Sequence, residues 1–186
     1  MRKGFCLSIV VLLVFLWVPA SALPLLSIED DPGAYGTIPD GAKNDLLESI
    51  YGVGTLERGG YYGSTVILTG AANLTFTFLG FEAGYDNDFN LNGTELFSTE
   101  DYSSNKIVGI SDISGVYSLD AGVVPFSFDV NNDNGIVTNE FNPDETITGE
   151  GSINFFVSFL GDDASSQSGS SLILFLDDGG AGPGAG

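Results

Sequence analysis

The chain has 186 residues, with 25 carboxylates against 5 basic side chains, no histidine and one cysteine, Cys6, for a formal net charge of −20. That composition removes Ser-His-Asp and Cys-His catalytic pairs, His-bearing zinc sites and a disulfide framework from consideration. The charge repels phosphate backbones and anionic lipid surfaces, so neither nucleic acid nor a peripheral membrane is an expected partner.

Residues 1–22 read as a secretory signal peptide. Arg2 and Lys3 form the basic start, Phe5 to Trp17 the apolar run, and Ala20-Ser21-Ala22 the small-residue cleavage site. Pro19 interrupts the uncharged run and no basic stop-transfer cluster follows, so cleavage is favoured over a membrane anchor. Cys6 lies at the start of the apolar run, outside any lipobox, and is lost with the leader. The expected mature chain, Leu23 to Gly186, keeps 25 acids and three basic residues, Lys43, Arg58 and Lys106, a net charge of −22. It has the size of a single domain without a membrane anchor, and its stability rests on apolar packing, alone or with bound ions.

Ala42 to Tyr51 is the one helical pattern, with Leu46, Leu47, Ile50 and Tyr51 on one face and Gly52 as a stop. Val66 to Leu68 is a short apolar run suited to a buried strand. Leu74, Phe76 and Phe78 alternate with Thr75 and Thr77, the period of a strand with one face on a core. Phe89-Asn90-Leu91 and Thr94 to Phe97 flank Asn92-Gly93, which predicts an antiparallel hairpin with a type I′ turn. Val116 to Leu119 is a weaker strand pattern. Val124, Phe126, Phe128 and Val130 alternate with polar residues and Pro125, so the strand begins near the proline or lies at an edge. Ile153, Phe155, Val157 and Phe159 form another alternating set, and Leu172 to Leu176 another buried run. The expected fold class is all-β, a β-sandwich or jelly roll with one short N-terminal helix.

Asp129-Val130-Asn131-Asn132-Asp133-Asn134-Gly135-Ile136 through Glu140 carries the sharpest chemistry. Counted from Asp129, it places Asp129, Asn131 and Asp133 at 1, 3 and 5, the Gly135 carbonyl at 7, Ile136 at 8 and Glu140 at 12. That is the register of an EF-hand loop, in which Ca²⁺ gathers a ring of hard oxygens. Asn134 stands where the loop ordinarily has Gly, and Phe141-Asn142-Pro143 breaks any following helix. The competing reading is an Asn/Asp/Gly-rich connection between two strands, built from ordinary turn formers. Asp86/Asp88, Glu100/Asp101, Asp162/Asp163 and Asp177/Asp178 read as solvated loop ends, with Asp177/Asp178 better placed at the end of a buried strand.

Neither a P-loop nor a dinucleotide fingerprint follows a strand pattern. Two carboxylates suffice for glycoside hydrolysis, but 25 acids make some suitable pair inevitable, and Glu82 in Gly-Phe-Glu-Ala-Gly reads as a hydrogen-bonded structural acid. Tyr61, Tyr62, Tyr85 and Tyr102 in Gly- or Ser-rich segments would serve a carbohydrate-binding module if exposed and coplanar; the alternative is core rim.

Gly60-Tyr61-Tyr62-Gly63, Leu79 to Phe89, Asn154 to Phe159 and above all Leu174 to Pro183, which reads Leu-Phe-Leu-Asp-Asp-Gly-Gly-Ala-Gly-Pro, resemble secreted bacterial proteins of the PEP-CTERM sorting class. The resemblance implies an exported, non-enzymatic surface or extracellular-matrix protein of a Gram-negative, polysaccharide-producing bacterium, with extracellular polysaccharide or matrix proteins as partners. The family's Pro-Glu-Pro tail is absent before Gly186, so the expectation is a released chain or a truncated member lacking its final strand. Such truncation would leave an unpaired sheet edge and invite self-association.

Overall fold

The computed structural model describes residues 11–16, 26–29, 33, 35–37, 59–81, 86–102, 107–130, 135–142, 153–160 and 165–177. They are mostly strand, in three antiparallel sheets. In chain order the strands are β1 (Val11–Leu16), β2 (Leu26–Ile28), β3 (Tyr35–Thr37), β4 (Gly59–Tyr62) and β5 (Val66–Leu68). There follow β6 (Ala72–Phe81), β7 (Asn87–Leu91), β8 (Thr94–Ser98), β9 (Ile107–Leu119) and β10 (Gly122–Val123). The last five are β11 (Phe126–Val130), β12 (Gly135–Thr138), β13 (Asn154–Phe159), β14 (Ser168–Gly169) and β15 (Ser171–Asp177).

The largest sheet has the order β3-β4-β13-β15-β1-β6-β9; the others are β10-β5-β2-β14 and β12-β11-β7-β8. All-β holds for the described residues, whereas the helix expected over Ala42 to Tyr51 lies outside them. The helical turn that is described, Thr99–Asp101, is of the 3₁₀ type. Its first N–H groups are met by the Ser98 hydroxyl, which accepts from the Glu100 N–H at 3.2 Å.

Side-chain alternation explains how the sheets meet. Phe126, Phe128 and Val130 of β11 and Phe89 and Leu91 of β7 point inward, with Ser127, Asp129, Asp88 and Asn90 half-buried between them. From the large sheet, Leu74, Phe76, Phe78, Phe155, Val157 and the even-numbered leucines of β15 reach the same core. Phe126 meets Phe155 edge-on at 5.1 Å, Phe76 lies 5.3 Å from Phe89, and Phe78 stacks on Phe97 at 5.7 Å. Leu26, Ile28, Val66 and Leu68 bring the second sheet into that core. Each buried phenylalanine contributes about 1.5–3 kcal/mol of transfer free energy, an upper bound because the unfolded chain already hides some surface.

The Asn92-Gly93 turn is as the sequence predicts: φ is +54° at Asn92 and +73° at Gly93, and β7 and β8 pair on either side. The strand predicted near Pro125 begins at Phe126. The pattern at Val116 to Leu119 belongs to a longer strand, β9, which edges the large sheet. β13 and β15 differ from simple alternation because both of their faces are covered. On the second face Tyr62, Phe156 and Phe175 form a buried row, with centroids 4.7 and 6.0 Å apart.

β1 comes from the apolar run of the expected signal peptide. It sits inside the large sheet, antiparallel to β15 from Val11↔Phe175 to Phe15↔Ser171 and to β6 from Val11↔Gly80 to Leu16↔Leu74. β15 is therefore an interior strand here, flanked by β13 and β1, rather than an edge.

Candidate functional site

The residues with candidate chemistry gather on the third sheet. β11 and β12 form a hairpin in which Asp129 pairs with Ile136 and Val130 with Gly135. Asn131 and Asp133 lie outside the described residues, in the connection between these strands. Gly135 opens β12, whereas Glu140 follows its other end, past Thr138. Glu140 itself lies in the turn that the Thr138↔Phe141 bridge closes beyond β12.

Asp129 also has Asp88 directly opposite on β7, and both are half-buried on the outer face of the sheet. The sequence gives little warning of this pair, because 41 residues separate its members and only the register of β7 against β11 joins them. Asp86 precedes β7, while Glu100 and Asp101 are exposed in the 3₁₀ turn. Asp177 closes β15 opposite Asn154; Asp178, Asp162, Asp163, Glu82 and Tyr85 lie outside the described residues.

At the other end of the hairpin a groove of about 400 Å³ runs between the Asn92-Gly93 turn, Pro125 and the Thr138 to Phe141 segment. Phe141 stands on its rim, 77 % exposed, beside the exposed Glu140. Beneath the rim, two buried asparagines act as substitutes for strand residues. The Asn139 side chain accepts from the Val66 N–H at 2.8 Å and donates to the Val66 and Val124 carbonyls at 2.7 and 2.8 Å. Asn142 accepts from the Phe155 N–H at 2.9 Å and donates to the Phe155 carbonyl at 2.7 Å. A primary amide has the donor and acceptor arrangement of a peptide group, so each satisfies backbone that the sheets leave open.

Among the described residues, Tyr61, Tyr62 and Tyr102 form no joint platform. Tyr61 and Tyr62 are 5 % and 8 % exposed, and the Tyr61 hydroxyl donates to the Ser165 carbonyl at 2.8 Å. Tyr102 packs on Phe78 at 5.3 Å and donates its hydroxyl to the Asp112 carboxylate. Burial, then the hydrogen bond to Asp112 and the carboxylate charge, push the Tyr102 phenol well above its ordinary value of 10.0. The sequence offered exposed Gly- or Ser-rich segments or a core rim for these tyrosines, and Tyr61 and Tyr62 follow the second; in β4 the neighbouring glycines admit a close neighbouring strand. A Cβ on Gly60 would lie 2.3 Å from the Val157 carbonyl oxygen.

Among the described residues no three His, Cys, Asp or Glu side chains converge as a metal cluster. No protein-family model, curated protein or solved structure matches the chain.

Proposed function

We propose that this is an exported, non-enzymatic β-sandwich protein of a bacterial surface or extracellular matrix. The observation that carries the reading is the use of two buried polar side chains: Asn139 and Asn142 are engaged with strand backbone, as framework. The basic-apolar-small pattern of residues 1–22 and the acidity beyond it support export and a soluble, repulsive surface. Extracellular polysaccharide or matrix protein is the partner class. The test is expression of the full chain in a Gram-negative host, with cell fractionation and mass spectrometry. A product beginning at Leu23 outside the cytoplasm is expected; a full-length product confined to the cytoplasm overturns the reading.

A second reading, calcium-assisted carbohydrate binding, is favoured by the Asp88–Asp129 opposition and by the exposed Phe141 ring on the groove. Directly opposed like charges destabilise a sheet, and a divalent cation would offset that cost. Calorimetric titration of Ca²⁺ into the chelator-stripped chain separates the alternatives. Saturable binding lost in Asp88→Asn/Asp129→Asn but kept in Glu140→Ala assigns the cross-strand pair. Loss in Glu140→Ala assigns the twelve-residue loop, and absence of saturable heat removes calcium from the account. A carboxylate-dependent glycoside hydrolase has no geometric support among the described residues beyond the acids themselves.

A further inference from the structure

The outer face of the third sheet carries a line of side chains that only strand register assembles. Phe141 bridges to Thr138, Thr138 pairs with Ser127, Ser127 with Asn90, and Asn90 with Glu95. Directly paired residues project from the same face. A phenyl ring, a threonine, a serine, a carboxamide and a carboxylate therefore form one row across the strands, roughly 19 Å long at about 4.8 Å per step. A bulge in β8, where the register shifts between Phe89 and Asn90, brings Glu95 into line with Asn90. At the ring end the row enters the groove, which Ser127, Thr138 and Phe141 line together with Asn92 of the hairpin turn. Both ends face solvent: Phe141 is the most exposed large hydrophobic side chain among the described residues, at 77 %, and Glu95 is exposed as well. The chain itself thus covers neither end.

A ring standing in water beside hydroxyl and carboxamide groups fits a ligand with one apolar face and a hydroxylated edge, which is the chemistry of a sugar ring. Its C–H bonds lie against the aromatic face of Phe141, while its hydroxyls bond to the Ser127 hydroxyl and to the Asn90 and Asn92 carboxamides. Glu95 and Glu140 accept from sugar hydroxyls, but with Asp88 and Asp129 in the next row they repel an anionic polymer. Strand addition is closed off along the row, because β11 and β7 are interior strands. We infer that this face binds an uncharged polysaccharide, laid across the strands with one sugar ring on Phe141 and its neighbours running over Ser127 and Asn90 towards Glu95. The inference rests on the polysaccharide-partner reading, and deepens it by naming the surface, the direction and the charge of the polymer. It needs no cation.

The test follows the backbone amide resonances of the isotope-labelled full chain in chelator as cellohexaose, laminarihexaose, mannohexaose or hexagalacturonate is added. Saturable shifts at Asn90, Ser127 and Phe141 with at least one neutral hexamer, and none with hexagalacturonate, are expected. Phe141→Ala should weaken that binding at least about tenfold and leave the thermal midpoint unchanged, because the ring stands in solvent. Ile113→Ala, in a side chain 68 % exposed on the large sheet, should leave both unchanged. Neutral binding that Phe141→Ala does not weaken, or shifts confined to the other sheets, overturns this face while the polysaccharide reading stands. Binding that appears only when Ca²⁺ is added overturns the cation-free row and leaves the calcium-assisted reading in place. Hexagalacturonate bound as tightly as the neutral hexamers overturns the charge selection. No shift with any of them, with or without Ca²⁺, overturns the inference together with its parent reading and leaves matrix protein as the partner class.

Discussion

Truncating Asn139 to alanine removes three hydrogen bonds, but their losses are unequal. The Val66 carbonyl still accepts from the Val124 N–H at 3.1 Å, and the Val124 carbonyl from the Phe126 N–H at 2.8 Å. The Val66 N–H, buried against the Asn139 oxygen, loses its acceptor. One orphaned buried donor costs about 2 kcal/mol and two forfeited bonds about 1 kcal/mol each, so Asn139→Ala should destabilise the protein by about 4 kcal/mol. That is a quarter or more of the roughly 5–15 kcal/mol typical of a domain. Urea denaturation followed by circular dichroism measures it, with an unchanged slope and an earlier midpoint expected. Asn139→Asp sharpens the test. Its carboxylate keeps the bond to the Val66 N–H but turns its second oxygen towards two carbonyls, so the neutral acid is the form the folded state prefers. A folded-state pKa raised above the unfolded value gives stability that is fully present below the unfolded pKa and lost as pH rises through the folded one. Asn139→Asp should therefore fall below Asn139→Ala at neutral pH and recover in acid. A loss under about 1 kcal/mol for Asn139→Ala, or no pH dependence for Asn139→Asp, would refute the surrogate-peptide role.

Gly60→Ala should cost about 3 kcal/mol or prevent folding, since its Cβ meets the Val157 carbonyl at 2.3 Å and the Phe156 ring at 2.5 Å; thermal melting reads the effect. Gly93→Ala has open space around the Cβ but a φ of +73°, so about 1 kcal/mol is expected from backbone strain alone, by the same assay. For Tyr102→Phe, the raised phenol pKa means that the hydrogen-bonded neutral form stabilises the fold fully below pH 10.0 and loses that contribution above it. The stability gap between Tyr102→Phe and the parent should be constant at lower pH and narrow above it in urea titrations; a gap that widens in alkali would contradict the assignment.

Strands with a regular alternation or a short, continuously apolar run were the readable ones. Phe126, Phe128 and Val130 announce β11, and Asn92-Gly93 announces its neighbour hairpin, because side-chain period and positive φ are local properties. β9 was largely hidden: Gly109, Ser111, Asp112, Ser114 and Gly115 interrupt its pattern, and an edge strand tolerates them because part of it faces solvent, with Ile113 and Val116 each 68 % exposed. The run from Val11 to Leu16 has no alternation to mark it as a strand, and the same continuous apolar pattern reads as the centre of an export signal. At the candidate site, spacing along the chain suggests a calcium loop, and strand register adds a neighbour that spacing does not show. Asp129 belongs with Asp88, and no count along the chain reveals that. Asn139 and Asn142 are equally silent in sequence, where asparagine signals a turn, since only three-dimensional placement shows an amide standing in for a peptide unit.

Asn139 and Asn142 lie three positions apart, yet one grips β5, in the second sheet, and the other grips β13, in the first, while Asn139 is itself held by the Phe126 carbonyl of the third. A four-residue stretch thereby makes three sheets one cooperative unit. Local opening of any sheet must tear this knot, so the Val66 and Phe155 amides should exchange hydrogen only through whole-domain unfolding. The bond from Asn139 to Val66 spans 73 positions, and the closure it requires places the knot late in folding, after the β7–β8 and β11–β12 hairpins have formed.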